Sequence, residues 1–574
     1  MTEPAPSPPV LLVSDFNLTS LHAMLARAGS DDGFSFEMGG FGEVVGPLLS
    51  EPSGTDPQRA AIVWPSPTGT LAGFTEVLSG TAEGSDAVMD GVDRFADLLA
   101  GASERFRFLL VVSWTPPPGH RGLGMLDLDP ERGMAGTLLK ANLRLAERLR
   151  GLRNVFLLDG ERWARGRQDS EEAARLWYLS KTPLTHATLE LACQELLAAI
   201  KGVLGMSKKV VVVDLDNTLW GGIVGDVGWE SLRLGGHDPV GEAFSDFQRS
   251  LKDLTNRGVV LGIVSKNEEG VALEAIRRHP EMVLTLEDFA GWRINWQDKA
   301  LNLVDLVSEL NVGLDSVVFI DDNASERGRV SEALPKVTVP EWPSDPMRYA
   351  PRLRSLPFFD VASLSQEDRI RAQAYVAERK RREVRSEVGS LDDWLESLGL
   401  EVEILALNRG DLPRATQLLN KTNQMNLSTR RLTEAEFWEW SGAPGRSIHT
   451  VRVRDRFGDY GLTGLVSLEI LVPNPADVRV ATFVDFVLSC RVFGRQIERT
   501  MVHHAAELAR REGAEVLEAE LIPTLKNEPC RRFFEDESGF TQAQDAPRRF
   551  RLTLDNAYPL PGPVTFRTPG PVTR

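Results

Sequence analysis

The chain has 574 residues, of which 42% are hydrophobic and 26% are charged, a balance typical of globular proteins of several domains. Its 65 basic and 82 acidic residues give a net charge of −17, which argues against general nucleic-acid binding. The absence of an apolar run of about 18 residues predicts no membrane association, and the presence of only three cysteines indicates a reducing, cytoplasmic setting without a disulfide framework.

Residues 1–205 are predicted to form an α/β domain. Short apolar runs at 10–14, 60–64 and 108–114 alternate with helical stretches, which is the pattern of a parallel sheet. The segment SDFN at 14–17 resembles the start of an SGNH hydrolase, but no Asp-x-x-His partner follows and His186 lacks that spacing. We therefore expect a degenerate SGNH-like domain with a structural or partner-binding role.

A second α/β domain is predicted at 206–345, and its first motif follows the apolar run VVVV. Asp214 and Asp216 come at the end of this strand, followed by Thr218. A buried parallel strand that ends in carboxylates delivers a site to the edge of a sheet. Asp214 would attack phosphorus to form an aspartyl phosphate, while Asp216 would protonate the leaving oxygen and later activate water. Such a motif alone is also compatible with a solvated acidic turn.

Three further motifs in the same domain favour phosphoryl transfer. Phosphoryl oxygens would be bound by Thr218, Ser265, Lys266 and Asn267. Lys299 would balance the charge of the nucleophile and of the transferred group. Mg²⁺ would be held by Asp214, the backbone carbonyl of Asp216, and Asp321 or Asp322.

The spacing of these motifs predicts an open site. Only 49 residues separate Asp216 from Ser265, which leaves room for little or no cap domain. A large or protein-bound substrate could therefore reach it.

The rest of the chain is predicted to contain a helical linker at 346–399, an α+β domain at 400–557 and a Pro/Gly-rich tail at 558–574, extended or disordered. The linker carries a cluster of basic residues: Arg379, Lys380, Arg381, Arg382 and Arg385. A solvated helix face is the simpler interpretation of this cluster, and a docking patch for an acidic partner is the alternative.

Cys490 is the candidate nucleophile of the third domain. It follows the predicted strand ATFVDFVLS and precedes Arg491 and Arg495. A thiol beside two arginines at a strand-to-helix turn would have a lowered pKa and would attack an acyl phosphate. The alternative is a buried, inert thiol, the role that we expect for Cys193. Cys530 is the competing candidate, although NEPCRRFF resembles a helix start.

The stretch RVFGRQIERTMVHHAAELARREG resembles the strand-loop-helix that binds the pyrophosphate of CoA in GNAT acyltransferases. The resemblance implies a GNAT-like domain with a phosphopantetheine arm in place of CoA, held by Arg491, Gly494 and Arg495. Only Gly494 stands where the family has a glycine-rich loop.

Further polar residues are candidates for lining the acyl and carrier site, with turn or capping roles as the alternative. They are Asn420, Lys421, Thr422, Asn423, Asn426, Asp459, Lys526 and Asn527. A histidine could assist the thiol, with His449, His503 and His504 as candidates. The side chains of adjacent histidines on a helix point about 100° apart, so at most one of the last two faces the site.

The motifs DLDNTLWGGIVGDVG, VSKN, NWQDK and FIDDN resemble the FkbH-like branch of the haloacid dehalogenase (HAD) superfamily, subfamily IIIC. The similarity continues through LLNKTNQMNLSTRR, DRFGDYGLTG, LSCRVFGRQIE and PTLKNEPCRRFF, and covers roughly residues 170–545. It implies a multidomain α/β protein with an SGNH-like domain, a HAD-type Rossmannoid domain and a GNAT-like α+β domain.

The same resemblance implies a bifunctional glyceryltransferase and phosphatase of polyketide biosynthesis. Such an enzyme takes 1,3-bisphosphoglycerate, forms a (phospho)glyceryl thioester on the enzyme and removes phosphate. It then passes the glyceryl group to the phosphopantetheine thiol of an acyl carrier protein. The alternatives are a Mg²⁺-dependent phosphatase of a small phosphometabolite and a noncatalytic carrier-protein scaffold.

Overall fold

The computed structural model describes residues 9–49, 59–166, 169–363, 366–387, 390–422, 424–471, 479–524, 527–543 and 546–567. The strands are β1 (Val10–Val13), β2 (Phe36–Met38), β3 (Ala60–Val63), β4 (Leu109–Val112), β5 (Val155–Leu158), β6 (Val210–Val213), β7 (Val260–Ser265), β8 (Phe289–Ile294), β9 (Val317–Ile320), β10 (Leu400–Ala406), β11 (Met425–Asn426), β12 (Arg446–Asp455), β13 (Gly458–Leu471), β14 (Val480–Leu488), β15 (Val516–Glu520), β16 (Thr541–Ala543), β17 (Ala546–Thr553) and β18 (Val564–Arg567).

The helices are α1 (Thr19–Gly29), α2 (Val45–Leu49), α3 (Pro67–Thr70), α4 (Phe74–Ser79), α5 (Asp86–Ser103), α6 (Met134–Leu149), α7 (Gly160–Ala164), α8 (Ser170–Ser180), α9 (His186–Val203), α10 (Val224–Val227), α11 (Pro239–Thr255), α12 (Glu269–Arg278), α13 (Lys299–Glu309), α14 (Ala324–Ala333), α15 (Tyr349–Arg354), α16 (Gln366–Glu387), α17 (Leu391–Leu398), α18 (Leu412–Lys421), α19 (Glu434–Ser441), α20 (Ile497–Arg511) and α21 (Glu528–Arg532).

The fold divides into two compact units. The first runs to Val259 and includes 280–283 and 296–369, while the second includes 260–279, 284–295 and the residues from Ile370 onward. The multidomain α/β class predicted from the sequence is confirmed by the parallel and mixed sheets within them. The predicted domain boundaries stay predictions.

The first unit begins with a five-stranded parallel sheet of order β2-β1-β3-β4-β5. Strands β1, β3 and β4 are wholly buried. Alternate residues of β1 enter two different apolar clusters, with Leu11 and Val13 in one and Val10 and Leu12 in the other. The sheet is therefore covered on both faces, as its continuous apolar strands predict.

In this sheet, the SDFN segment follows β1. Asp15 accepts hydrogen bonds from the backbone N–H and the hydroxyl of Ser66, which follows β3. The same Ser66 hydroxyl caps α3 by accepting the Gly69 N–H at 3.0 Å. His186 lies on α9, 3.2 Å from the Glu190 carboxylate. These contacts are consistent with the predicted structural role of the segment.

Later in the first unit, the buried strand β6 pairs in parallel with β9, in a register that joins Val213 to Ile320. Both strands end in acidic residues, so carboxylates from two distant segments meet at one edge. Nearby, α15 packs on α11 through the rings of Phe244, Phe247 and Tyr349.

The second unit contains the parallel pair β7–β8 and a large mixed sheet of order β16-β17-β15-β14-β13-β12-β10-β18, with β11 beside β14. Its pairs are antiparallel except for β14–β15 and β10–β18. The crossover between β14 and β15 contains α20, whose buried face joins the main apolar cluster of the unit. The pairing of β14 with β15 ends at Phe483 and Ala519, and β14 continues to Leu488 before the turn that begins at Cys490.

The predicted tail contributes a strand to this sheet. Val564 to Arg567 form β18, which pairs in parallel with β10 from Leu400 to Glu403. Val564 is buried, and the Phe566 ring packs edge-on against His503 at 5.7 Å between centroids. The expectation of a tail outside the domain is therefore corrected for these residues, because apolar side chains alternate with polar ones within the Pro/Gly-rich segment.

Two arginines of the basic cluster on the linker helix α16 are not part of an exposed patch. Arg379 and Arg381 are buried. Arg379 lies over the Trp292 ring, while Arg381 donates two hydrogen bonds to the buried Asp455 and lies 4.3 Å from the centre of the Tyr460 ring. Both guanidinium groups contact other side chains inside the unit. These two arginines therefore belong neither to a solvated face nor to a docking patch.

No helix in the described ranges combines the length and the apolar character needed to cross a membrane.

Truncation tests the role of β18. Ending the chain after Pro563 should destabilise the second unit by about 3 kcal/mol, because Val564 and Phe566 lose their burial and β10 becomes an edge strand. Thermal unfolding followed by circular dichroism would show this loss as a lower melting temperature. Removing only residues 568–574 is the matched control and should leave the transition unchanged. Equal melting temperatures for the two truncations would contradict a structural role for β18.

Candidate active site

Three carboxylates meet at the carboxyl edge of the β6–β9 pair. Asp214 follows β6, Asp321 and Asp322 follow β9, and the Asp214 N–H donates to the Ile320 carbonyl at 3.0 Å. Each carboxylate offers an oxygen within 4.8 Å of the others. Asp214 and Asp321 are buried, and Asp322 is half-buried.

Lys299 is the counter-charge of this cluster. Its ammonium donates to Asp321 Oδ2 at 2.7 Å and lies 3.0 Å from Asp214 Oδ1, with the side chain only 4% exposed. It is the first residue of α13, whose start is capped by Asp298. Arg329 of α14 donates to the same Asp298 at 3.0 Å. The two helices therefore fix where the ammonium enters the site.

The electrostatics of the cluster leave negative charge uncompensated, since three carboxylates face one ammonium. Burial, together with the charge of Asp214, raises the pKa of Asp321 to about 6 and also raises the pKa of Asp322. Burial opposes the charged form of Lys299, but Asp214 and Asp321 outweigh it and raise the pKa of Lys299. The lysine is thus firmly protonated while the carboxylates lack a second cation.

These residues fit Mg²⁺. Carboxylate oxygens are the ligands that this ion prefers, and a divalent charge would offset the excess of the cluster. Asp321 already accepts from Lys299 and from the Asn323 N–H, so Asp214 and Asp322 are the less engaged ligands. The Asp216 side chain is not among the three clustered carboxylates. Its predicted contribution through the backbone carbonyl stays a prediction.

Asp216 is held by the turn that follows it. Its Oδ1 accepts the Trp220 indole N–H at 2.9 Å and the Val224 N–H at 3.1 Å. The next residue, Asn217, has a left-handed φ of 56°. These contacts fix the orientation of the Asp216 carboxyl group, and its predicted acid and base role stays a prediction.

Tyr349 supports this turn from a distant part of the sequence. Its hydroxyl donates to the Asn217 carbonyl at 3.2 Å, across 132 positions of the chain. Burial, and then the charge of Asp322, raise the pKa of Tyr349 to about 12, so the hydroxyl stays protonated at neutral pH. The sequence pattern gives no signal for this residue, whereas Trp220 lies within the aspartate motif itself.

Thr218 joins the two acidic loops. Its hydroxyl donates to Asp322 Oδ1 at 3.2 Å and accepts the Asp322 N–H at 3.0 Å. Arg327 donates to the Asp321 and Asp322 carbonyls, a contact that sequence reasoning missed. Thr218 thus orients Asp322, and its predicted contact with a phosphoryl oxygen stays a prediction.

The other predicted phosphate ligands belong to the second unit. Ser265 is the last residue of β7 and is buried, as is Asn267, while Lys266 is half-buried. Their proposed contact with a phosphoryl group stays a prediction.

In the second unit, Cys490 begins a 3-10 turn, Cys490–Val492, directly after β14. Its backbone thus lies at the predicted strand-to-helix turn, but its side chain lies outside the described residues. The competing thiols are inert, because burial raises the pKa of Cys193 to about 11 and of Cys530 to about 12.

The turn after Cys490 is stabilised internally. The Gly494 N–H donates to the Glu498 carboxylate at 3.1 Å, and burial raises the pKa of Glu498 to about 7. Arg495 is buried, donates to Glu378 of α16 at 2.9 Å and contacts the Tyr460 hydroxyl. Arg491 is exposed. The Arg495 guanidinium and the Gly494 N–H were predicted to bind phosphate. This prediction is corrected, because both groups already bond to side chains of the protein.

Three asparagines predicted to line the acyl site have structural roles. Asn426 donates to the Thr422 carbonyl and accepts the Thr429 N–H. Asn527 accepts the Thr524 N–H and donates to the Ile522 and Asn426 carbonyls. Asn420 bonds to both backbone groups of Leu432.

Turn and capping roles, the stated alternative, therefore describe these asparagines. Asp459 is exposed and accepts the Gly461 N–H, also in a turn. Thr422 is half-buried. Asn423, Lys526 and the Lys421 side chain lie outside the described residues.

Two of the candidate histidines pair with each other. The rings of His449 on β12 and His504 on α20 have centroids 4.8 Å apart, and burial lowers the pKa of His449 to about 4 and of His504 to about 3. His503 instead contacts the Tyr558 carbonyl at 2.7 Å, while both His503 and His504 also lie against the Phe566 ring. Both paired rings are neutral at pH 7.

Replacing Tyr349 by phenylalanine tests the support of the acidic turn. The variant should lose about 1 kcal/mol of stability and several-fold in kcat, because Asn217 keeps its strained backbone without the hydrogen bond. Phosphatase kinetics and thermal unfolding measure the two effects. Tyr558→Phe removes a similar bond, to the Ser538 carbonyl in the second unit, and should affect stability alone. Unchanged kcat in Tyr349→Phe would show that the bond does not support catalysis.

Replacing Lys299 by alanine tests the charge balance of the cluster. Without Mg²⁺ the variant should lose about 3–5 kcal/mol of stability, since two buried carboxylates lose their partner. Added Mg²⁺ should restore more stability to this variant than to the wild type, although turnover stays abolished. Melting temperatures measured across a Mg²⁺ titration give the comparison, with the exposed Lys336→Ala as control. Identical Mg²⁺ dependence in the variant and the wild type would rule out this electrostatic account.

Comparison with known proteins places these sites in context. No protein-family model and no curated protein sequence matches the chain. Among solved structures, an acetyltransferase-family (GNAT) protein from Desulfovibrio desulfuricans is 17% identical, with a TM-score of 0.20, covering 27% of this chain and 99% of that chain. An acetyltransferase from Trypanosoma brucei is also 17% identical, with a TM-score of 0.19, covering 25% and 97%. These values are too low to support an argument.

A much stronger similarity links the chain to the N-terminal part of the protein BF1531 from Bacteroides fragilis, which contains a phosphatase domain and was crystallised with Mg. The two are 30% identical, with a TM-score of 0.56, and the match covers 62% of this chain and 95% of that chain. Because the similarity extends over nearly all of that neighbour, this protein belongs to the same family as the phosphatase-domain part of BF1531.

Proposed function

We propose that the protein is a Mg²⁺-dependent phosphatase joined to an acyltransferase, and that it converts 1,3-bisphosphoglycerate into a glyceryl thioester on an acyl carrier protein. The observation that carries the proposal is the buried cluster of Asp214, Asp321 and Lys299, with Asp322 at its side. The similarity to a phosphatase-domain protein supports the first activity. The FkbH-like sequence motifs support the second.

In the proposed phosphatase reaction, an Asp214 oxygen attacks phosphorus and the bond to the substrate oxygen breaks. Asp216 gives its proton to that leaving oxygen, and an aspartyl phosphate forms on Asp214. Asp216 then takes a proton from water, whose oxygen attacks the phosphorus and releases phosphate, restoring both side chains. Lys299 stabilises the charge on the transferred group, and bound Mg²⁺ would add Lewis-acid stabilisation of the phosphoryl oxygens.

In the proposed acyl transfer, the Cys490 thiolate attacks the acyl phosphate carbon of 1,3-bisphosphoglycerate and expels phosphate. The resulting 3-phosphoglyceryl thioester loses its remaining phosphate at Asp214, and the phosphopantetheine thiol of the carrier takes the glyceryl group. The position of the Cys490 backbone at the turn after β14 is compatible with a reactive thiol. The raised pKa values of Cys193 and Cys530 argue against either as the nucleophile.

Intact-mass analysis tests the order of these steps. The Mg²⁺-loaded full-length protein is incubated with 1,3-bisphosphoglycerate and a phosphopantetheinylated carrier. Wild type should load the carrier with a glyceryl group, and Asp214→Asn should accumulate a phosphoglyceryl thioester. Cys490→Ala should carry no thioester, whereas the control Cys193→Ala should behave as wild type.

Three results would contradict the proposal. Normal loading of the carrier by Cys490→Ala would refute the thioester relay. Phosphate release without any carrier loading in the wild type would favour the plain phosphatase. A protein that shows no Mg²⁺-dependent turnover at all would instead be a scaffold.

A further inference from the structure

A groove in the first unit is separate from the carboxylate cluster. It has a volume of about 500 Å³ and is lined by Glu341, Trp342, Pro343, Arg348, Pro351, Arg352 and Ser355. This volume lies within the range of small-molecule sites in proteins. The lining combines two arginine side chains, one carboxylate, one hydroxyl, one indole and two prolines. It therefore offers both charged and apolar groups.

The groove carries positive charge that the fold does not neutralise. Arg348 and Arg352 are four residues apart, so their side chains leave the same side of the α15 segment. Among the described residues, Arg348 has no carboxylate partner, and Arg352 donates through Nε to the Glu341 carbonyl at 3.1 Å. By contrast, Arg354 on another side of α15 forms a two-bond ion pair with Asp246. Guanidinium groups in this arrangement bind phosphate oxygens well.

The remaining lining residues indicate which groups the ligand carries besides phosphate. Glu341 is exposed and can accept hydrogen bonds from hydroxyl groups, as can Ser355. Pro343 and Pro351 offer apolar surface for the carbon skeleton of a polyol, whereas Trp342 is buried and packs against Phe247 and Tyr349. Inorganic phosphate would use the guanidinium groups alone, whereas a phosphorylated polyol would also use the acceptor groups and the apolar surface.

Tyr349 links the groove to the turn that follows Asp216. Tyr349 follows Arg348 directly, and its ring lies 5.3 Å from the Trp342 ring. The Tyr349 hydroxyl donates to the carbonyl of Asn217, the neighbour of Asp216. A ligand that orders the exposed Arg348 would therefore stiffen the chain next to Tyr349, whose hydroxyl supports the turn after Asp216.

The geometry points to a second ligand site, in which this groove binds a phosphorylated polyol such as a sugar phosphate or a glycerol phosphate. Arg348 and Arg352 bind the phosphate, Glu341 accepts from hydroxyl groups, and the two prolines contact the carbon skeleton. A ligand bound in the groove would act through Tyr349 on the turn at the carboxyl edge of β6. The inference does not depend on the acyl-transfer half of the proposed function.

Calorimetric titration of the full-length, Mg²⁺-loaded protein tests the site. An Asp216→Asn background prevents turnover of the probes, which are glucose 6-phosphate, glycerol 3-phosphate and inorganic phosphate. Adding Arg348→Gln and Arg352→Gln should weaken binding of both esters at one site by about tenfold or more, because two charge-assisted contacts are lost. The matched control Arg354→Gln should bind as the background does.

A second variant separates the polyol from its phosphate. Glu341→Ala should weaken binding of the two esters at this site and leave inorganic phosphate unchanged or tighter, because only the esters have hydroxyl groups that lose an acceptor. The inference is overturned if neither ester, at millimolar concentration, binds in a manner that depends on Arg348 and Arg352. It is also overturned if Glu341→Ala affects the esters and inorganic phosphate alike. Phosphatase activity of the Arg348→Gln/Arg352→Gln chain with intact Asp216 reports separately on the proposed function.

Discussion

The ammonium of Lys299 between Asp214 and Asp321 is the contact on which the candidate site depends. Burying two carboxylates without a cation costs several kcal/mol, and the lysine offsets this cost. The lysine neutralises only part of the charge. Burial, and then the charge of Asp214, raise the pKa of Asp321 and Asp322, and the excess negative charge fits a divalent ion. The position of the lysine and the fit of the cluster to a metal ion thus follow from one electrostatic constraint.

The residues around this contact are fixed by elements far apart in the chain. Asp298 and Arg329 fix the start of the helix that carries Lys299, and Arg327 holds the carbonyls of the second acidic loop. Tyr349 holds the strained turn next to Asp216. Preorganisation of this kind lets the charged groups stabilise a reaction without first rearranging.

The second unit shows a different use of charge. Arg381 and Arg495 are buried against Asp455 and Glu378, with the Tyr460 ring and hydroxyl between them. Together they tie the linker helix to the turn that follows Cys490. Arg495, which was predicted to bind an anion, and Arg381, which belongs to the predicted docking patch, therefore stabilise the fold instead. Arginine is suited to this role because its planar group binds a carboxylate and stacks on an aromatic ring at once.

The sequence by itself determined the fold class, the parallel strands that end in Asp214 and Asp321, and the choice of Lys299 as their cation. These features depend on local apolar runs and on the rule that parallel strands deliver their ends to one edge. Tertiary structure alone decided the roles of Tyr349, Arg495, Asn426 and Asn527. Each of these side chains bonds to a partner chosen by the path of the folded chain, and a polar residue in a loop looks the same in sequence whether it faces a ligand or a backbone carbonyl.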